Sequence, residues 1–247
     1  RIYSDTGPIL EHDLAQLAGL GWTGKNTCTI SPRQGSYFLI GEAFVDVEIE
    51  PDQPQITDHC GSCQRCIEAC PTAAIRPDRT IDAGRCISYQ TIENKGAIPL
   101  PLREKLGEWV FGCDICQMVC PWNVRFAKPG GHPALAPRPE IARPILRSEL
   151  SLSPEAFNRK FRRSPISRAK RRGYLRNIAT ALGNARDPAA VPDLARVLET
   201  EPEPLIRGHS AWALGRFETS PARQALSKAL KQETDPYVLA EIRSALE

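Results

Sequence analysis

The sequence predicts a multidomain α+β protein of 247 residues, in which a short α/β segment, a cysteine-rich segment and a helical repeat follow one another. Three observations support this prediction. Two β-prone runs, residues 37–40 and 43–49, come first. Eight of the nine cysteines then fall into one pattern, a run of four, then Cys86, then a run of three, and an Ala-Leu-Gly motif recurs at a spacing of 32 residues near the end. A chain of this length has room for two or three domains.

The first segment, residues 1–58, has α/β character. Residues 10–20 have helical apolar spacing that stops at Gly19 and Gly21, as helix ends do. The two β-prone runs are separated by Gly41 and predict two strands. One helix and two strands make a poor independent domain, so we expect this segment to be the end of a larger one.

The cysteine spacing predicts two iron–sulfur clusters in residues 59–126. The first run, CxxCxxCxxxCP, has the bacterial ferredoxin spacing, in which three thiolates bind one [4Fe-4S] cluster and the fourth reaches another. The second run lacks its first cysteine, which Cys86 can replace from a distance. The crossed assignment gives a first cluster on Cys60, Cys63, Cys66 and Cys120, and a second on Cys70, Cys86, Cys113 and Cys116.

Other uses of these cysteines fit less well. Zinc sites with paired CxxC units lack the CxxxCP tail, and disulfide scaffolds are short secreted chains. Thiols reserved for metal suggest a reducing cytoplasm, and no apolar run is long enough for a membrane helix. We expect the ninth cysteine, Cys28, to be a small buried apolar side chain. Because the chain starts at Arg1 and its only methionine is Met118, we expect an N-terminally truncated fragment.

The C-terminal part carries a basic segment and a repeat. Residues 127–165 predict a Pro-rich, basic linker, and residues 156–186 contain ten Lys or Arg and no acidic residue. Such a block is either a solvated surface or an electrostatic footprint for polyphosphate. Residues 166–247 predict a HEAT-like α-solenoid, since Ala181-Leu-Gly183 returns as Ala213-Leu-Gly215 and the second helix of each unit follows an Asp/Glu-Pro step. With so few repeats, the solenoid is expected to stack on the cluster domain.

Three places outside the cysteines have residues suited to chemistry. Asp5 is either a helix cap or a general acid whose pKa is raised by burial, and its position leaves the two about even. Lys25 ends a glycine-rich loop and is either an exposed turn residue or a contact for a phosphate or carboxamide. The segment from Ser88 to Lys95 follows a cluster ligand directly and either anchors Cys86 or lies near an electron acceptor.

Taken in order, six motifs resemble epoxyqueuosine reductases. They are Asp5-Thr-Gly, AGLGWTGKN ending at Asn26, HCGSC ending at Cys63, Cys86-Ile-Ser-Tyr, TIENKG ending at Gly96, and GCDIC ending at Cys116. The resemblance implies that residues 1–58 are the end of an α/β cobalamin-binding domain. It also implies reduction of epoxyqueuosine to queuosine at the wobble position of tRNAs with GUN anticodons (Asp, Asn, His and Tyr acceptors). Two clusters would relay electrons to base-off cobalamin.

The same resemblance implies roles for individual residues. Asp5 would be the proton donor to the opening epoxide. Cobalamin contacts would come from Asp5, Lys25, Ser88 and Glu93. Contacts to tRNA would come from Lys95, Arg168, Lys170, Arg171 and Arg172, where neutralised phosphates make binding salt-dependent. The expected partners are tRNA and an external one-electron donor, with no membrane. The alternatives are a two-cluster electron-transfer protein, another corrinoid-dependent reductase, and a solenoid interaction module with structural clusters.

Overall fold

A computed structural model describes residues 7–128, 131, 133 and 136–247. The chain divides into two compact units by its Cα packing. The first contains Arg1–Ala83 with Asp114–His132, and the second contains Gly84–Cys113 with Pro133–Glu247. The segment predicted as one cluster domain, residues 59–126, therefore contributes to both units.

The first unit is built from short elements. Its only strands among the described residues, β1 (Trp22–Thr23) and β2 (Thr29–Ile30), pair antiparallel with Trp22 opposite Ile30. Its small core packs the side chains of Trp22 and Ile30 against Cys120. The helices are α1 (Glu11–Leu17), α2 (Arg65–Ala69), α5 (Ile115–Met118) and α6 (Pro121–Phe126). The predicted first helix is confirmed, and the chain leaves it at Gly19, whose φ of +71° suits glycine.

The two strands predicted at residues 37–40 and 43–49 are wrong. The structure has no strand between residues 37 and 50. Leu39, Phe44 and Ile49 are 80%, 76% and 67% exposed. A strand needs a neighbour that takes its backbone hydrogen bonds and covers its apolar face, and no described segment does so for these residues.

The second unit is helical. Phe157, in the helix Pro154–Lys160, and Phe161, directly after it, pack on Tyr174 in the main core, so part of the predicted linker is folded structure. No helix in the described part of the chain is long and apolar enough to cross a bilayer. The helices are α3 (Ile87–Ile92), α4 (Leu100–Arg103), α7 (Pro139–Ala142), α8 (Leu146–Glu149), α9 (Pro154–Lys160), α10 (Lys170–Ala185), α11 (Val191–Thr200), α12 (Pro204–Gly215), α13 (Ser220–Leu230) and α14 (Pro236–Leu246).

The repeated Ala-Leu-Gly motif is where successive repeats touch. A Cβ added at Gly183 would lie 2.8 Å from the Cα of Ala213, and one added at Gly215 would lie 2.7 Å from the Cβ of Ala245. The glycine of each repeat thus lets α10, α12 and α14 approach closely in a row, while α11 and α13 pack beside them. This arrangement explains why the motif recurs every 32 residues.

Candidate iron–sulfur centre and basic surface

The four cysteines of the first predicted ligand set line one cavity in the first unit. Three lie on the turn and short helix α2, and Cys120 is the residue from which α6 begins. The cavity has a volume of about 130 Å³. Its walls are Lys25, Asn26, Ile30, His59, Cys60, Cys63, Cys66, Cys120, Pro121 and Trp122. The four thiols line one cavity, as a [4Fe-4S] cluster held by four thiolates requires.

The turn carrying the first two thiols is fixed by hydrogen bonds. Cys63 N–H donates to the Cys60 carbonyl at 3.0 Å, and Cys60 N–H donates to Asp58 Oδ1 at 2.8 Å. Asp58 also pairs with the guanidinium of Arg79. Burial alone would raise the pKa of the Asp58 carboxyl, but these two donors hold it below its ordinary value. The carboxylate therefore stays ionised and anchors the turn.

The thiols of Cys66 and Cys70 differ in how readily they ionise. Burial, and then the neighbouring thiols, raise the pKa of Cys66 to about 11. Cys70 behaves differently, because its sulfur lies 3.5 Å from Thr72 Oγ1 and accepts from Ala74 N–H at 3.3 Å. Burial would raise the pKa of Cys70, but these hydrogen bonds lower it. Binding a cluster must displace protons from thiols such as Cys66.

The second predicted ligand set is divided between the units. Cys70 and Cys116 belong to the first unit, and Cys86 and Cys113 to the second. Within the second unit, Cys86 is the residue before α3, and Thr91 of that helix accepts from Gly112 N–H at 3.0 Å. The start of α3 and the segment ending at Cys113 are thus tied together. The assignment of this set as ligands stays a prediction.

Cys28 is not the isolated buried side chain that we expected. It is only partly buried. A hydrogen bond with Cys116 lowers the pKa of Cys28 against the effect of burial and raises the pKa of Cys116. The ninth thiol therefore lies beside a predicted ligand of the second cluster, although spacing alone suggested no such contact.

The candidate cofactor residues belong to different parts of the chain, with Lys25 in the first unit and Ser88 and Glu93 in the second. Asp5 lies outside the described residues. Lys25 Nζ donates to the carbonyls of Gly61 and Cys63 at 2.7 Å and 3.0 Å, so this lysine serves the cysteine turn. Ser88 and Glu93 lie at the two ends of α3 in the second unit.

Four of the five predicted tRNA contacts lie on one surface in the second unit. Lys95 Nζ donates to the carbonyl of Arg168 at 2.6 Å, and Arg172 donates to the carbonyl of Lys95 at 2.9 Å. The Arg168 guanidinium pairs with Glu93. Lys170 is exposed at the start of α10. We call Lys95, Arg168, Lys170 and Arg172 the basic surface.

Arg171 lies apart from that surface. Its guanidinium binds both carboxylate oxygens of Glu201, at 2.8 Å and 2.6 Å, and donates to the Leu152 carbonyl at 2.6 Å. The two side chains are 18% and 6% exposed. Arg171 therefore stabilises the solenoid and offers little to a phosphate.

Sequence reasoning missed two buried polar residues of α10. Arg176 was counted in the basic block, but it is fully buried and donates to the carbonyls of Gln90, Asn94 and Gly96 at 2.6, 2.9 and 2.5 Å. Burial lowers the pKa of Arg176 to about 10, which leaves it charged at neutral pH. Asn177 donates to the carbonyls of Thr91 and Val110, both at 2.8 Å. The sequence does contain one sign of this role, because Arg176 and Asn177 are adjacent polar residues within an otherwise apolar stretch of the helix.

Two families of known domains match this chain. Residues 59–123 match the 4Fe-4S double cluster binding domain, which confirms that iron–sulfur clusters are the cofactors of the cysteines. Residues 168–247 match HEAT repeats, which confirms the predicted solenoid.

Whole-chain relatives agree with these matches. An epoxyqueuosine reductase of Pseudomonas aeruginosa is 45% identical over 216 residues, which cover 87% of this chain and 60% of that protein. One of Bacillus anthracis is 38% identical over 98% of this chain and 63% of the relative. The chain thus spans about three fifths of these relatives.

Solved structures show the same likeness. An epoxyqueuosine reductase crystallised with a tRNA-Tyr epoxyqueuosine-modified stem loop has a TM-score of 0.92 at 38% identity, over 98% of this chain and 64% of that one. The structure from Bacillus subtilis, in which a catalytic aspartate loop is swung out of the active site, has a TM-score of 0.91 at 37% identity, with the same coverage.

Proposed function

We propose, because this chain belongs to the epoxyqueuosine reductase family, that it forms part of an enzyme that reduces epoxyqueuosine to queuosine in tRNA. One structural observation carries the proposal beyond similarity. The four thiols that the crossed assignment gives to one cluster line one cavity, although Cys120 is far from the others in the sequence. That geometry supports an electron-transfer centre. Cysteines spaced for metal rather than for disulfides also support the cytoplasm as the place of action.

The reaction needs electrons and protons in equal number. Opening the epoxide to an alkene consumes two electrons and two protons and releases the oxygen as water. A [4Fe-4S] cluster supplies one electron at a time, so two clusters suit a two-electron reduction. An external one-electron donor must then reduce the two clusters again. The protons must come from side chains, and the aspartate at position 5 is our candidate, because a carboxylic acid held protonated by burial is a suitable donor.

Cobalamin is the proposed electron acceptor, and its support is the resemblance alone. Two of the candidate contacts have other partners, since Lys25 donates to two backbone carbonyls and Glu93 pairs with Arg168. The direct test is to add cob(II)alamin to the full-length, anaerobically reconstituted protein and record its absorption spectrum. A spectrum unchanged by the protein would remove cobalamin from the proposal.

The basic surface is the proposed docking point for tRNA. Its four cations lie where the end of α3 meets the start of α10, and Lys95 follows the predicted ligand Cys86 by nine residues. Lys and Arg side chains on a helical surface suit a phosphate backbone, which they recognise without reading its sequence. The wobble base must leave the anticodon stack to be reduced, as for other base-modifying enzymes.

The experiment that tests the function is a single turnover. Full-length, anaerobically reconstituted protein is reduced and mixed with tRNA containing epoxyqueuosine, and the nucleosides are analysed by mass spectrometry. We expect queuosine, and Asp5→Asn should suppress its formation while cluster content and tRNA affinity persist. Clusters that are reduced and reoxidised while epoxyqueuosine stays unchanged would favour the electron-transfer protein instead.

The tRNA surface is tested with a matched pair of variants. Replacing Arg168, Lys170 and Arg172 together with Gln should weaken tRNA binding and make the log–log salt dependence shallower by about one per lost phosphate contact. The control, Arg171→Gln, breaks the pair with Glu201 and should lower stability with little change in the salt dependence. Equal effects of both variants on the salt dependence would contradict this assignment of the surface.

A further inference from the structure

The loop that joins β1 and β2 has no role in the proposed reaction so far, yet it forms one wall of the thiol cavity. Lys25 and Asn26, adjacent in the Gly-Lys-Asn sequence, both line the cavity with Cys60, Cys63 and Cys120. The sequence suggested a phosphate or cofactor contact for this loop, whereas the structure places it against the first cluster site.

Asn26 has an unused hydrogen-bond donor at this wall. The side chain is 3% exposed, and its Oδ1 accepts from Cys28 N–H at 3.3 Å. Its Nδ2 is buried and has no hydrogen-bond partner among the described residues. A buried amide N–H without an acceptor is costly, so such a group calls for an explanation. A cluster bound in this cavity would bring sulfur atoms that can act as the missing acceptors.

The local backbone holds this amide in place. A Cβ added at Gly24 would lie 2.7 Å from Asn26 Oδ1 and 2.5 Å from Ile30 Cδ1. Only glycine therefore allows the loop to pass so close to both side chains. Because Cys28 N–H binds Oδ1, the amide group of Asn26 cannot turn freely, and its Nδ2 is held on the side away from that N–H.

Lys25 brings a positive charge to the same wall. Its ammonium group donates to the carbonyls of Gly61 and Cys63, in the turn that carries the first two thiols. An ammonium group has three donors, and these two bonds fix its position beside the turn. In the cavity wall, the charge is screened less than it would be on the open surface.

We infer that Lys25 and Asn26 tune the first cluster. Asn26 Nδ2 donates an N–H···S hydrogen bond to a cluster sulfur, and Lys25 stabilises the added negative charge of the reduced cluster. Both effects favour the reduced form, because hydrogen bonds to sulfur and nearby charge set the potential of such clusters. This inference deepens the proposed function and rests on it only in that a [4Fe-4S] cluster occupies the cavity.

The test is a redox titration followed by electron paramagnetic resonance, on full-length protein reconstituted anaerobically and without tRNA. The signal of the first cluster is identified as the one that survives in Cys86→Ala. Asn26→Leu and Lys25→Gln should each retain both clusters. Each should shift the ratio of reduced to oxidised first cluster about tenfold towards oxidised at a given potential, which is about 59 mV for one electron.

Two controls separate charge from folding. Lys25→Arg keeps the positive charge and should stay near the wild-type potential. Lys128→Met removes an exposed lysine that does not line the cavity and should change nothing. Unchanged potentials in both Asn26→Leu and Lys25→Gln, at full iron content, would overturn the inference. So would loss of the first cluster from all three cavity variants, since the loop would then serve assembly alone. The titration contains no tRNA, so its outcome does not decide whether the protein reduces epoxyqueuosine. The single-turnover experiment tests that function separately.

Discussion

Replacing Arg176 with Met should loosen the segment that joins α3 to α4. Arg176 extends from α10 to the carbonyls of Gln90, Asn94 and Gly96, and it is fully buried. Met fills much of the same volume but donates no hydrogen bond. The substitution therefore leaves three carbonyls without their partner inside the second unit.

The expected size follows from these contacts. A hydrogen bond from a charged donor is worth about 1.5–3 kcal/mol, so three lost bonds set an upper range of roughly 5–9 kcal/mol. Relief of the buried charge offsets several kcal/mol of that loss, because desolvating a guanidinium is itself expensive. A net loss of about 3 kcal/mol remains, a large fraction of the stability of an ordinary domain.

Hydrogen exchange measured by mass spectrometry is the assay, because it reports local opening. A loss of about 3 kcal/mol corresponds to exchange about 100-fold faster in residues 87–98. The distant helix α13 should exchange at nearly the wild-type rate. Arg186→Asn is the control, because Arg186 ends the same helix, is exposed and has a left-handed φ of 53° that Asn tolerates. If residues 87–98 exchange equally slowly in Arg176→Met and in the wild type, Arg176 does not hold the segment that joins α3 to α4.

Three further predictions concern the clusters, the solenoid and pH. Cys86→Ala should lower the iron content from about eight to about four per chain, whereas Cys28→Ala should keep about eight; iron analysis distinguishes them. Gly183→Val should lower the melting temperature through overpacking of about 1–3 kcal/mol, whereas Gly41→Ala, with open space around it, should not. Burial, and then the charge of a nearby arginine, hold the pKa of His209 well below 6.5. As pH falls below about 6.5, His209 binds a proton in the unfolded chain but not in the folded chain. The unfolding free energy should therefore fall by up to about 1.4 kcal/mol per pH unit. His209→Gln should flatten that slope between about pH 6.5 and 5.5, as measured by denaturant unfolding.

The features that the sequence determined by itself are those written in local spacing. Cysteines separated by two or three residues lie on one turn and one short helix, so three members of the first ligand set could be predicted from spacing alone. The fourth, Cys120, was predicted from the spacing of the second run and reaches the same cavity only through the fold. The 32-residue recurrence identified the solenoid for a similar reason, since each repeat must present its glycine to the next. Both patterns depend on near neighbours along the chain.

The features that only the tertiary structure decided depend on distant partners. Residues 43–49 have strand-forming side chains, but no described segment pairs with them, so propensity alone misled. Arg171 and Arg176 are as basic in sequence as Arg172, yet one binds Glu201 and one is buried against carbonyls of another segment. Lys25 was assigned to a cofactor because its contacts, Gly61 and Cys63, lie 36 and 38 residues away. The sequence shows which side chains are charged. Which group each charge binds depends on the segments that the tertiary structure brings next to it.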